Sequence, residues 1–208
     1  MSEALTLELL NRIINLETRV NALENNTTHH TYEEETPMTA GTTHPAALST
    51  AARGATRAKA LKTLSTKLAA ASIEGTLTGN GNRGNNRLYF QTPTGEKKYI
   101  YLSTSRNYAD PGTPFSSWHT ISPSDITQGT YDIFILSAED EAGDPLLFVY
   151  TAHEMNNYVA RKTPDNRPYY HFYLTRDAED GYEDWRKDPN YPVQNITDHY
   201  ENWTPFTS

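Results

Sequence analysis

The side chains that could do chemistry in this chain are scattered, and each local pattern falls short of a known constellation. His153-Glu154-Met155-Asn156-Asn157 is one residue away from the zinc-binding H-E-x-x-H pattern. With Asn157 in place of the second imidazole the ligand set is incomplete, so His153 is read as a helix-start or surface residue. Ser103, Ser105 and Ser122 offer hydroxyls, yet no base stands at a recognisable spacing from any of them. His119 and His171 sit singly beside aromatic residues and are read as packing residues. Glu139, Asp140, Glu141 and Asp144 crowd a turn between two apolar runs and are read as solvated. Asp132 borders an apolar run and is either a buried functional acid or a structural one. His29, His30 and His44 lie in a polar tract, read as solvated rather than metal-binding. The absence of cysteine from all 208 residues removes disulfides, thiolate zinc, iron–sulfur clusters and a thiol nucleophile. No metal and no cofactor are expected.

What remains is charge. The net charge is -8, but it is unevenly spread. Residues 51–106 carry ten bases and two acids, a balance of +8, whereas residues 107–208 carry 17 acids and six bases. A basic block of this kind is an electrostatic footprint for phosphate or for an acidic protein, or it pairs internally with the acidic half. Its candidate contact residues are Arg57, Lys62, Arg83, Arg87, Lys97, Lys98 and Arg106. The acidity of the whole chain argues against non-specific binding of DNA over the entire surface. The acidic, aromatic last 30 residues are read as covering a sheet or forming a protein interface rather than stacking bases.

These residues need elements to position them. Residues 53–73 read as a helix rich in Ala, Leu and Lys, with an apolar stripe of Ala60, Leu61, Leu64, Leu68 and Ala71. Residues 75–86 are Gly/Asn-rich and read as loop; they lack the G-K-[ST] ending of a phosphate loop. Residues 87–91 and 98–104 read as a hairpin across a Pro/Gly turn. Residues 107–130, with three prolines, read as irregular. Residues 131–137 and 146–151 are the most apolar pieces and read as central strands. A short helix over 152–162 with Met155, Tyr158 and Val159 inward, and a strand over 169–174, complete an α+β (α/β) domain with a mixed central sheet and flanking helices.

At the N-terminus Leu9, Ile13, Leu16, Val20 and Leu23 follow a 4-3-4-3 spacing, the seam of a coiled coil. Arg12 and Arg19 fall at g positions and Glu17 and Glu24 at the following e positions, so each Arg faces a Glu of a parallel neighbour. β-Branched residues at a favour a dimer. The twice-repeated Arg-apolar-x-x-apolar-Glu pattern (residues 12–17 and 19–24) is similar to short trimeric coiled coils, and one amphipathic helix docked on its own domain is the bland alternative. Residues 26–52, rich in Thr, read as a flexible linker. The domain organisation expected is thus residues 1–25 coiled-coil helix, 26–52 linker and 53–208 globular domain. No apolar run reaches the ~20 residues that span a bilayer, and a basic leader with a cleavage site is absent, so a soluble, cytoplasmic protein is expected.

The order of pieces carries a resemblance. A hairpin strand Tyr99-Ile100-Tyr101-Leu102-Ser103-Thr104-Ser105-Arg106 is followed by Trp118-His119-Thr120-Ile121. Then come the strand pair Tyr131-Asp132-Ile133-Phe134-Ile135-Leu136 and Leu147-Phe148-Val149-Tyr150, the strand His171-Phe172-Tyr173, and a closing Tyr200-Glu201-Asn202-Trp203. Over roughly residues 55–205 this resembles the small restriction-endonuclease-like proteins of the PD-(D/E)XK superfamily. The resemblance implies a Mg²⁺ held by an Asp and a Glu or Gln, with a Lys assisting the attacking water. Those positions fall here near Asn86 or Arg87, on Tyr101 and on Ser103, none of which can serve. A displaced Glu-x-Lys triplet, Glu96-Lys97-Lys98, lies in a turn. The resemblance therefore implies a nuclease scaffold without cleavage: a binding or accessory protein of a bacterial or phage nucleic-acid system, gathered into a dimer or trimer. The alternatives are a phage structural protein, such as a fibre or decoration subunit, and a Mg²⁺-dependent endonuclease with atypical ligands.

Overall fold

Helix α1 (Thr50–Ala70) opens the domain. The computed structural model describes residues 50–162, 169–177, 179–186 and 193–207, without the side chains of residues 50 and 51. The chain divides into two units, residues 1–44 and 45–208, and every described residue belongs to the second. The coiled-coil reading of Leu9, Arg12, Ile13, Leu16, Glu17, Arg19, Val20, Leu23 and Glu24 lies outside the described residues, as does the linker up to residue 49.

Ala60, Leu64 and Leu68, four residues apart, line one side of α1 and are buried. Two expectations shift at its ends. Residues 50–52, assigned to the linker, are helical. Ala71, assigned to the apolar stripe, lies beyond the helix and is exposed. The helix stops because Ser72 turns into the left-handed region at φ 57°. The Ser72 N–H then donates to the Ala69 carbonyl and the Ile73 N–H to the Leu68 carbonyl, both at 3.0 Å. This is the Schellman closure, and Ile73 packs back onto the core that holds Leu68.

The following strands are β1 (Thr76–Thr78), β2 (Tyr89–Gln91), β3 (Lys97–Ser105), β4 (Ser116–Ile121), β5 (Ile133–Glu139), β6 (Pro145–Thr151), β7 (Tyr170–Arg176), β8 (Tyr182–Asp184) and β9 (Gln194–Asn195). Helices α2 (Pro123–Thr127), α3 (Ala152–Val159) and α4 (Thr204–Thr207) are interspersed. The first sheet has five strands in the order β1-β2-β3-β5-β6. It is antiparallel except where β5 runs parallel to β3, with Ile100 opposite Ile133 and Leu102 opposite Ile135. The hairpins β2–β3 and β5–β6 form as their sequences suggest. The protein is thus an α+β chain, but it has a second sheet where one was expected. This sheet is antiparallel, in the order β4-β7-β8-β9.

Alternation assigns the two faces of the first sheet. Ile100, Leu102, Ile133, Ile135, Leu147 and Val149 face α1, with Phe206 of α4. Tyr101, Phe134, Leu136, Phe148 and Tyr150 point the other way, into a core shared with Ile121, Met155, Phe172, Leu174 and Tyr182. Strands β5 and β6 are buried on both faces, which is why they read as continuous apolar runs. The second sheet buries one face only: Ser117, His119 and Ile121 of β4 point inward, Trp118 and Thr120 outward. Strand β4 falls in the stretch expected to be irregular, because its inward positions are filled partly by Ser and His, which hide the apolar alternation. Strand β1 likewise falls in the stretch read as loop, pairing along β2 at the sheet edge.

Two carboxylates brace the strands, one buried between the sheets and one exposed at the edge of a strand pair. Asp184, wholly buried, accepts from the Lys162 ammonium at 2.5 Å, from the Tyr158 hydroxyl and from the Tyr173 N–H at 2.8 Å. Burial lowers the Lys162 pKa while Asp184 opposes that shift. Asp132 is exposed rather than buried; its Oδ2 accepts the Tyr99 N–H at 2.7 Å, pinning the start of β3 to the strand beside it. Its role is structural.

Candidate functional site

The polar residues that the fold gathers lie where α1, the loop of residues 79–87 and the middle of β3 meet. That loop is shaped by Gly79, at φ 81°, where an added Cβ would sit 2.2 Å from the Arg87 carbonyl oxygen. The close approach lets the Gly81 N–H donate to Asn86 at 2.7 Å and the Leu88 N–H to Gly81 at 2.8 Å, so the Gly/Asn-rich stretch closes on itself. Asn82 then pairs with β3 as if it were a strand residue. Its Oδ1 accepts the Leu102 N–H at 3.1 Å and its Nδ2 donates to the Leu102 carbonyl at 3.0 Å.

Arg57, one turn before Ala60 on α1, fills the same corner. It donates to the Leu102 carbonyl at 2.7 Å, to Asn82 Oδ1 at 2.9 Å and to the Asn80 carbonyl. Burial lowers its pKa. Arg83 reaches across to Asp125 of α2, one guanidinium nitrogen lying 2.7 Å from both carboxylate oxygens. The Arg83 side chain is 71% exposed, and the Asp125 partner, by hydrogen bond and charge, raises its pKa. Arg87 lies over the rings of Tyr99, at 4.1 Å, and Tyr131, at 5.4 Å, and donates to the Thr130 carbonyl at 2.6 Å. Its Nε is buried and has no hydrogen-bond partner among the described residues. The Tyr131 hydroxyl donates to the Asn82 carbonyl.

Tyr101 and Ser103 project from β3 toward the second sheet. Tyr101 packs edge-on against Tyr131 at 5.1 Å. Burial, aided by the charge of Asp125, pushes its pKa up to about 12, so the phenol stays protonated. Ser103, for which no base could be found in the sequence, does have one in space: its Oγ lies 3.0 Å from His119 Nδ1. The other ring nitrogen of His119 lies 3.4 Å from Ser117 Oγ, and complete burial pushes the imidazole pKa down to about 3. A base so weak, held by a serine rather than a carboxylate, is poorly matched to activating a hydroxyl at neutral pH. The pair ties β3 to β4 instead.

The structure brings together Arg57, Arg83 and Arg87 of the seven candidate contact residues and disperses the others. Lys98 is buried and donates to the Pro205 carbonyl at 3.2 Å, so it is withdrawn from any contact surface. Lys97 is exposed over Tyr89, and Arg106 lies over Tyr108. They mark opposite ends of the nine-residue strand β3, roughly 30 Å apart at ~3.3 Å per residue. Lys62 is exposed on α1. The triplet Glu96-Lys97-Lys98 does not converge, since Lys98 is buried while Glu96 and Lys97 face solvent. Internal pairing with the acidic half occurs alongside: Lys59 meets Asp144 at 3.1 Å and Lys67 meets Glu201 at 2.6 Å. The Glu154 of the broken zinc pattern is a capping residue, exchanging hydrogen bonds with Thr151 at the start of α3.

Sequence reading missed Asn82, Asp125, Tyr131 and His119 as members of this cluster. Arg83 and Asp125 are 42 residues apart, and nothing in either neighbourhood announces the other. Among the described residues no group of three His, Asp or Glu side chains could hold a metal ion, and no helix is long and apolar enough to cross a membrane. No protein-family model matches the chain, and neither a curated protein nor a solved structure matches it.

Proposed function

We propose that this chain is a non-catalytic, restriction-endonuclease-like binding module of a bacterial or phage nucleic-acid system, with copies gathered by its N-terminal coiled coil. The observation that carries this reading is the cluster itself. Near the positions where the resemblance would put two metal-holding acids and a lysine, the chain has Asn86 or Arg87, Tyr101 and Ser103, with Arg57 and Arg83 in the same corner. Guanidiniums in that corner attract a phosphate and repel a divalent cation. The order of elements, helix, hairpin, Trp-bearing strand, strand pair, helix and His-Phe-Tyr strand, also supports it. Arg83 is the group best placed to reach outward, because its side chain is largely exposed while its partner Asp125 is buried beneath it.

The test is retention of a short DNA duplex by the full chain across a salt series. Replacing Lys62, Arg83 and Lys97 together by Ala is expected to weaken binding about tenfold or more at low salt. The same change should flatten the dependence of log K on log salt by roughly 0.9 for each phosphate that is no longer neutralised. Unchanged retention would remove the nucleic-acid reading. Plasmid incubated with the chain and Mg²⁺ is expected to stay supercoiled, and nicking would favour the endonuclease alternative.

A further inference from the structure

The outer face of the second sheet takes no part in the cluster above, and it carries a row of aromatic side chains. Trp118 of β4 is 47% exposed. Its register partner on β7, Tyr173, has its ring within 2° of parallel to the indole, centroids 6.4 Å apart. His171 tilts only 20° from the same indole, and Trp118 Nε1 donates to His171 Nδ1 at 3.0 Å, which fixes the indole plane. Beside this platform is a groove of about 510 Å³ whose aromatic walls are Tyr108, Tyr173 and Trp185. Tyr108 and Trp185 are 36% and 44% exposed.

The polar groups at the groove narrow the choice of occupant. Asp110, Glu183, Arg176 and Arg186 line it, and Arg186 lies over the Tyr173 ring at 5.2 Å. Just outside, Glu141 accepts from Arg176 at 3.1 Å and Arg106 lies over Tyr108 at 4.8 Å. Among the described residues, the groove itself is lined by two carboxylates and two guanidiniums, with no surplus of positive charge. A nucleic-acid strand, though it could stack bases on such rings, needs a surplus of positive charge along its phosphates. Residues 107–208 hold 17 acids against six bases. An apolar peptide needs a continuous apolar floor, which the charged pairs interrupt. A pyranose fits both features: its C–H face lies on the exposed Trp185 indole, and its hydroxyls donate to carboxylates and accept from guanidiniums.

We propose that this groove, with the Trp118–Tyr173 platform beside it, is a binding site for a neutral saccharide. It uses a different face from the arginine cluster and does not rest on the nucleic-acid reading.

The experiment is a titration of the full chain with maltohexaose, cellohexaose, chitohexaose and mannohexaose, each to about 10 mM, followed by tryptophan fluorescence, with a dT12 oligonucleotide as the comparator. At least one hexasaccharide is expected to saturate with a Kd in the micromolar to millimolar range, and dT12 to bind more weakly. Trp185→Ala should weaken the sugar about tenfold; because the residue is exposed, the melting temperature should hold. Asp110→Ala, on an exposed loop, gives a second readout should Trp185→Ala unfold the chain, and should also weaken the sugar. No saturation by any of the four sugars, binding indifferent to both variants, or tighter binding of dT12 than of every sugar would overturn the proposal.

Discussion

His119 sits between Ser103 and Ser117 in the layer between the two sheets, and its burial has a consequence for stability. An unfolded imidazole takes up a proton near pH 6.5, whereas the folded one does so only at about 3. Between those values the unfolded chain binds the proton that the folded chain refuses. The contribution is therefore complete above about pH 6.5 and is lost as pH falls toward 3, with a slope of up to about 1.4 kcal/mol per pH unit. Urea midpoints of the native chain and of His119→Gln, measured from pH 7 to pH 4, are expected to converge as the pH drops. Parallel curves would show that His119 is not the group responsible. Other residues whose types suggested chemistry turn out to be occupied in a similar way. Asp140 Oδ1 accepts the N–H groups of Ala142 and Asp144 at 2.9 and 2.7 Å, shaping the turn between β5 and β6. Its acid is consumed by backbone geometry, as Glu154 is by its helix cap.

The elements owe their boundaries to a few local devices. Ser72 ends α1 in a conformation that costs an ordinary L-residue roughly 1 kcal/mol relative to glycine. Ser72→Gly is expected to raise stability by about 0.5–1 kcal/mol, read as a higher urea midpoint with an unchanged m-value. A lower midpoint would mean that the serine side chain contributes something its backbone conformation does not reveal. At the other end of the domain, the chain from Tyr200 onward is held to β6: Tyr200 bridges Phe148 and the Glu201 N–H donates to the Leu147 carbonyl at 2.9 Å. Phe206 of α4 meets Phe90 edge-on at 5.2 Å, so the closing segment seals the core under α1. These contacts explain part of the aromatic content of the last 30 residues. Tyr182 and Tyr200 are packing residues, and Trp203 packs on Phe206. Trp185 instead remains at the surface beside the groove.

At the scale of the whole molecule, valency is the property on which the proposed function depends. A weak contact through Arg83 and its neighbours gains avidity only if several copies act together. Sedimentation of the full chain is expected to give a dimer or a trimer, and Ile13→Asp with Leu16→Asp to give a monomer, since both positions belong to the seam read from the heptad. A native chain that sediments as a monomer would leave the amphipathic-helix alternative and would deprive the binding module of multivalency.

Local patterns were enough to read α1, the two hairpins, the short helix α3 with Met155, Tyr158 and Val159 inward, and the α+β class, because periodicity and turn chemistry act between residues close in the chain. The basic block was equally plain in the composition. What no local pattern contains is partnership across distance. Only the tertiary structure decided that Arg83 faces Asp125, that Ser103 meets His119, that Lys98 is buried while Lys97 is not, and that a Ser/His/Trp stretch between prolines becomes β4 and carries an aromatic outer face. The physical reason is the pairing of strands. Placing β5 beside β3 and β7 beside β4 brings together residues dozens of positions apart, and burial then sets which charges are solvated and which protons are held.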